Sequence, residues 1–559
     1  MSRERRIGSY RDAVKPIDAL FAVLREEGVR KVFGNPGTTE LPFLDALVDN
    51  PDIEYVLGVH EGSVVAMADG YARATGRTAF VSLHVAAGLA NGLIGLLNAS
   101  RSRTPMVVTA GQQDRRHLLE DPMLSGDLVG LAQAAVKQTF DVQHAHDLPV
   151  VLRRAFAAAT RAPAGPVLLS IPMDLLAEDT DVDLPARSVI APLGVAGGVE
   201  LAAELLVSAQ RPVIVAGDGV GREKAVAELV ALAEAVGATV FHQPMHDAVD
   251  FPGSHPLYAG SLPPVNAAVN NALTGYDLVF VVGAHAFNPH HYTPTPPIPA
   301  GAKVIQLDPD AAEPGRNFPV DVGLVGGVKP TVARLTELVT GRIPDTSARV
   351  EAVRERHENR WVEADQAARA AYGPPPFDPL AAVHAIAAGL PNDFVMVEEA
   401  ITSGVLMRRV LRLDRPDSLV HTVGGGLGWG IGAAVGTALG TTRPVVALLG
   451  DGCTMFGLQG LWNAGRDQVP VTFLVMNNGE YRTLKDTLDN HRSRSTQTGT
   501  YHGLDLTDTR LDFTKAADFF GVPAVRPTDL AALTEIIAKA THSPGPLLVD
   551  IPVTGHPSH

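Results

Sequence analysis

Cysteine is almost missing from this chain: Cys453 stands alone among 559 residues. A disulfide within the chain is therefore excluded, and the composition suits a reducing compartment. Long apolar runs are missing too. None reaches ~18 uninterrupted residues, so no membrane span is expected. The opening MSRERRIGSY carries no apolar core of the kind a secretion signal needs, and no such signal is expected. Basic charge is in deficit, with 46 Lys and Arg against 61 Asp and Glu, a formal net charge of −15. That balance argues against nucleic acid and anionic membranes as partners. The expectation is a cytoplasmic protein. What is present is ordinary globular composition, 46% hydrophobic and 19% charged. The length predicts two to four domains.

The most informative stretch is 445–484. Val445 to Leu449 is an apolar run of strand length, broken by Gly450-Asp451-Gly452. Leu458, Leu461 and Trp462 then recur at helical spacing. A second apolar run, Val471 to Met476, ends at Asn477-Asn478-Gly479. Strand, helix and strand predict a βαβ unit whose strands are parallel neighbours. Asp451 and Asn478 then emerge together at the carboxyl edge, where open α/β sheets bind ligands. A carboxylate and an amide oxygen are hard donors that suit Mg²⁺ or Ca²⁺. The helix after Gly452 offers its N-terminal N–H groups to an anion. A hard cation beside a helix N-terminus is a site for a diphosphate.

Residues 1–182 repeat one pattern, a short apolar run ending in a polar residue and followed by a helix. The runs Val29 to Phe33, Tyr55 to Val59, Ala79 to Leu83 and Met106 to Thr109 predict a parallel sheet with crossover helices, closed by a strand over Pro166 to Ile171. Thr38, Glu61, His84 and Gln112 would converge at its carboxyl edge. Residues 181–198 read as a linker. A second α/β pattern occupies 190–342. Its Gly217-Asp218-Gly219-Val220-Gly221 lacks the full dinucleotide fingerprint and reads as a structural turn. A charged, largely helical stretch from Arg342 to Ala371 leads to Pro374-Pro375-Pro376, a second linker. The third α/β region covers 370–559. The fold expected is three doubly wound parallel-sheet domains.

GDG followed by NN at this spacing resembles the diphosphate-binding motif of the thiamine-diphosphate enzymes. The resemblance extends over nearly the whole chain. It implies a pyrimidine-binding domain, a central Rossmann-like domain and a diphosphate-binding domain, in that order. It implies thiamine diphosphate and Mg²⁺ (or Ca²⁺) as cofactors. Asp451, Asn478 and the backbone carbonyl of Glu480 would hold the metal. Glu61, in VHEGSVVAMADGYAR, would bond the aminopyrimidine ring and switch the cofactor on. Leu427, in GGGLGWG, would wedge the two rings together, and the Gly425 carbonyl would accept from the exocyclic amine. Thr402, Ser403, Gly450, Gly452 and the Cys453 N–H would meet the diphosphate. Asn35, Pro36, Gly37 and Tyr481 complete the implied cofactor contacts. The matching Glu and Asp come from different subunits in this family, which implies a homodimer or homotetramer with interface sites.

VFGNPGTTELPF, SLHVAAGLANGL and MVVTAGQQ resemble the benzoylformate decarboxylase branch more than acetolactate synthase or pyruvate decarboxylase. The implied reaction is decarboxylation of a small 2-oxo acid to an aldehyde. Thr38 would bind the substrate carboxylate. His84 and His290 would move protons, with His291 as the alternative to His290. His421 and Thr487 fall where that branch lines its ring pocket with Phe. Lys485, His491, Arg492 and Arg494 follow in a longer segment. These side chains would suit a substrate with a second polar or acidic group, or they face water. A carboligase and a non-catalytic member of the family are the alternatives.

Overall fold

The computed structural model describes residues 11–343, 345–507 and 511–556. Three six-stranded, wholly parallel sheets follow one another along the chain. The first is built from Lys31–Gly34, Glu54–Leu57, Ala79–His84, Met106–Gln112, Gln138–Asp141 and Pro166–Pro172. In space the second of these comes first, then the first, third, fourth, sixth and fifth. The third sheet, Val395–Glu399, Leu419–His421, Val445–Gly450, Val471–Asn477, Ala524–Val525 and Leu547–Pro552, repeats that order. The central sheet runs from Pro212–Ala216 to Val322–Val325. Most inner strands are buried on both faces, which is why they read as unbroken apolar runs.

In the first and third sheets the chain winds outward from one strand and then crosses back to that strand's other side. The crevice lies at this reversal, between the ends of Lys31–Gly34 and Ala79–His84 in one sheet. In the other it lies between Val395–Glu399 and Val445–Gly450. The central sheet reverses between Pro212–Ala216 and Leu278–Val282. There a Cβ on Gly219 would come within 2.8 Å of the Gly283 backbone, so the GDG turn packs chain against chain.

The first and third sheets share one apolar core. It is closed by the helices Glu61–Thr75 and Gly430–Gly440, whose backbones touch. A Cβ on Gly436 would stand 1.8 Å from the Met67 carbonyl oxygen, and one on Gly70 would stand 2.1 Å from that of Ala433. Buried Asp69 accepts from Thr104 Oγ1 at 2.6 Å and Trp429 Nε1 at 2.7 Å, across the same junction.

The expected 181–198 linker differs at its start. Val182–Leu184 is a strand, paired antiparallel with Arg11–Val14. Among the described residues no helix is long and apolar enough to cross a membrane.

Candidate active site

At the carboxyl edge of the third sheet, Gly450 pairs with Met476, so Asp451 opens its helix beside the loop 477–481. Asp451 Oδ1 accepts from its neighbour Gly452 at 2.7 Å, and Oδ2 accepts from the N–H groups of Asn478 at 3.0 Å and Gly479 at 2.6 Å. Asn478 Oδ1 accepts from the Glu480 N–H at 3.0 Å. Burial pushes the Asp451 carboxyl above its ordinary value, against the pull of these N–H donors. A carboxylate and an amide oxygen, both hard and partly desolvated, on abutting turns fit a divalent cation of the Mg²⁺ type. Gly452 is needed here because a Cβ would stand 2.7 Å from the Tyr481 ring, which lies over the turn. Cys453 is buried, and burial pushes its thiol well above the ordinary value.

Thr402 is the second residue of the neighbouring helix Ile401–Val410 and half-exposed, with Oγ1 3.0 Å from Thr483 Oγ1, while Ser403 is buried. Gly425 is exposed with a left-handed φ of 77°, and Leu427 lines a small cavity with His60, Ile94 and Phe456. Glu399 escaped sequence reasoning. It lies buried under this edge and accepts the N–H groups of Gly428, Trp429 and Gly430 at 2.8, 3.1 and 2.8 Å. Its carboxylate caps the Gly-rich helix and holds the Leu427 loop.

At the carboxyl edge of the first sheet, Glu61 is the first residue of its helix and is buried. Each of its carboxylate oxygens accepts one amide, from Asn35 and from Asn91, both at 3.0 Å. His84 ends its strand and lies on the Asn35-Pro36-Gly37 loop, where a Cβ on Gly37 would stand 1.8 Å from the imidazole Nδ1. That Nδ1 is 3.2 Å from Glu40 Oε2. Glu40 is buried and also accepts from Gly37 N–H, Thr39 Oγ1 and Gly111 N–H. It therefore orients His84 from a fixed position. Thr38 is exposed beside this pair. The next residue, Val85, is fully buried with φ of 37°, a costly conformation for a β-branched side chain. The NPGTTE string carried Glu40 in plain view. Its burial did not show in the sequence, and Asn91 gave no signal.

His290 and His291 lie in the central region, exposed and half-exposed, with Nδ1 of one 3.0 Å from Nε2 of the other. The His291 ring is 6.2 Å from that of His491. Three other expectations take a different shape. His421 is buried, with Nδ1 2.9 Å from the Glu398 carbonyl oxygen, and burial lowers its pKa. Thr487 Oγ1 donates to the Thr483 carbonyl one turn back. Lys485 is neither a free cation nor a solvated one, because it is buried between Glu480 and Asp505. His491, Arg492 and Arg494 are exposed.

The predicted residues thus gather at the carboxyl edges of the first and third sheets and at the central His290–His291 pair, with Leu427 of the third region beside His60 of the first. Among the described residues no hydrogen bond, ion pair or ring contact joins Thr38, Glu61 or His84 to Thr402, Asp451 or Asn478.

Three family models match the chain. They are the thiamine pyrophosphate enzyme N-terminal TPP-binding domain over 15–145, the central domain over 199–335, and the C-terminal TPP-binding domain over 402–551. Benzoylformate decarboxylase of Pseudomonas aeruginosa is 33% identical over 552 residues, 96% of this chain and 98% of its own. Acetolactate synthase isozyme 2 large subunit of Escherichia coli is 28% identical, over 95% of this chain and 94% of its own. Among solved structures, the thiamine diphosphate-dependent 4-hydroxybenzoylformate decarboxylase of Rhodococcus jostii superposes with a TM-score of 0.85 at 31% identity, covering 97% of this chain and 99% of that one.

Proposed function

The chain belongs to the thiamine pyrophosphate enzymes, and from that premise we propose that it decarboxylates a 2-oxo acid, without oxidation, to an aldehyde and carbon dioxide. Its cofactor is thiamine diphosphate with a divalent metal such as Mg²⁺. When bound, that cofactor supplies the electron sink for the bond broken as carbon dioxide leaves.

In this reading Asp451, Asn478 and the Glu480 carbonyl hold the metal. Thr402, Ser403 and the N–H groups after Gly450 receive the diphosphate. Gly425, Leu427 and Tyr481 bound the rings. Glu61, braced by two amides, presents its carboxylate to the pyrimidine. Thr38 binds the substrate carboxylate. His84, held by Glu40, moves a proton at the reacting carbon, and His290 or His291 serves the opposite side.

The observation that carries decarboxylation is the His84–Glu40 pair beside an exposed Thr38: an imidazole held in one orientation at the loop where substrate would sit. A built-in proton donor favours release of an aldehyde over attack on a second carbonyl. The benzoylformate decarboxylase relative supports the same choice. The acetolactate synthase relative supports a carboligase as the second reading. Within one chain no hydrogen bond among the described residues joins Glu61 to Asp451 or Asn478, which supports sites shared between two copies, and a cytoplasmic homodimer or homotetramer is the assembly proposed.

The test is a panel of aromatic, aliphatic and acidic 2-oxo acids with thiamine diphosphate and Mg²⁺. Steady release of free aldehyde supports the reading. Coupled hydroxyketone as the sole product would replace it with the carboligase.

A further inference from the structure

The helix Arg482–Asn490 follows directly on the loop that carries Asn478 and Glu480. Two cations on it, Arg482 and Lys485, are only 8% and 7% exposed. Buried cations persist when they are paired. Arg482 donates to Asp486 at 2.7 Å and to Asp489 at 2.8 Å within its own helix, and more weakly to Glu480 Oε1 at 3.5 Å. The Lys485 side chain bonds outside the helix. Its Nζ donates to both Glu480 and Asp505, and it lies 5.3 Å from the centre of the Tyr501 ring. Burial alone would lower the pKa of this ammonium. Hydrogen bonds to Asp505 and Glu480 reverse that and hold it above its ordinary value.

The backbone draws the same pieces together. Glu480 and Asp505 form an isolated antiparallel bridge. Tyr481 N–H donates to the Leu504 carbonyl at 2.8 Å, and Leu506 N–H donates to that of Gly479 at 2.7 Å. The segment 501–507 is thus laid along the loop 477–481 as a strap.

We infer that Lys485 is a positioning residue for the divalent ion, an inference that rests on the metal site proposed above. By joining Glu480 to Asp505 it clamps the strap to the loop and fixes the direction of the Glu480 carbonyl. Of the three metal donors, that carbonyl alone belongs to the backbone. Its aim depends on the peptide plane after residue 480, whose N–H is bonded to the Leu504 carbonyl, and the Lys485–Asp505 pair holds the strap that carries Leu504 in place. The pairing also keeps the Glu480 carboxylate, itself a hard ligand, turned away from the ion.

The test is titration of the whole protein with Mn²⁺ in the presence of thiamine diphosphate, read by calorimetry and by the electron paramagnetic resonance of free Mn²⁺. Lys485→Met should weaken Mn²⁺ binding roughly tenfold to a hundredfold, the range for residues that orient metal ligands. Lys485→Arg should recover most of the loss. Asp505→Asn, at a side chain 49% exposed, keeps the fold out of question and should weaken binding in the same direction. Lys539→Met, at an exposed side chain of the helix Leu530–Ala540, is the control. Unchanged or tighter Mn²⁺ binding in folded Lys485→Met and Asp505→Asn overturns the inference. Failure of the unaltered protein to bind Mn²⁺ overturns the metal site instead.

Discussion

Glu61 is buried, yet each of its oxygens meets an amide rather than a cation. Such a side chain is held in place without an ion pair. Glu61→Gln should lower turnover by orders of magnitude while the circular dichroism and unfolding midpoint stay near those of the unaltered protein. Near-normal rates would remove Glu61 from the mechanism. His84→Ala should slow aldehyde release with thiamine diphosphate affinity little changed, measured by cofactor fluorescence quenching. Away from the site, Asp250 is buried, and burial together with the charge of Asp247 pushes its carboxyl from 3.8 to about 7. Asp218 is raised beside it, and Arg222 faces both. The folded protein keeps the Asp250 proton where the unfolded chain has released it. This contribution to stability is therefore full below about pH 4 and is lost as pH rises through about 7. Asp250→Asn cannot ionise. Its stability relative to the parent should rise between about pH 4 and about pH 7 and level off above that, by at most about 1.4 kcal/mol per pH unit. Parallel profiles in denaturant unfolding would refute this.

Among the elements, the crossing of Glu61–Thr75 on Gly430–Gly440 has the least slack. Gly436→Ala would drive a methyl into the Met67 carbonyl and should cost about 1–3 kcal/mol of unfolding free energy. Gly440→Ala should cost less, because its Cβ would meet only side-chain carbons, the nearest at 3.0 Å. The pairing of these two helices was not legible in the sequence, since no periodicity names the surface a helix will touch. The buried strands were legible for the opposite reason: covered on both faces, Val445–Gly450 and Val471–Asn477 have no polar alternation to blur them. The edge strand Gln138–Asp141 escaped because half its surface faces water and its letters, QTFD, are mostly polar. The meeting of Asp451 and Asn478 at one sheet edge followed from strand spacing. Glu40, Asn91 and Glu399 did not, because their work is done through contacts made far along the chain. Lys485 shows the converse error. A cation in a polar segment reads as solvated or substrate-facing, and two carboxylates five and twenty residues away decided otherwise.

At the scale of the molecule, one chain carries both residue groups, and among the described residues no hydrogen bond or ion pair joins Glu61 to Asp451 or Asn478. Sites shared between copies make a sharp prediction. Glu61→Gln and Asp451→Asn proteins, each inactive alone, should recover about a quarter of the parental activity when co-refolded in equal amounts. Half of the pairs are then mixed, and each mixed pair holds one intact site and one doubly damaged site. No recovery would mean that each site is built within a single chain. The lone thiol has a practical corollary at this scale. Cys453 is shielded and stays protonated, so alkylating dyes have nothing to attack on the native surface. A cysteine introduced at any outward position would carry the only label on the molecule, and fluorophores could report the distance between copies with no background to subtract.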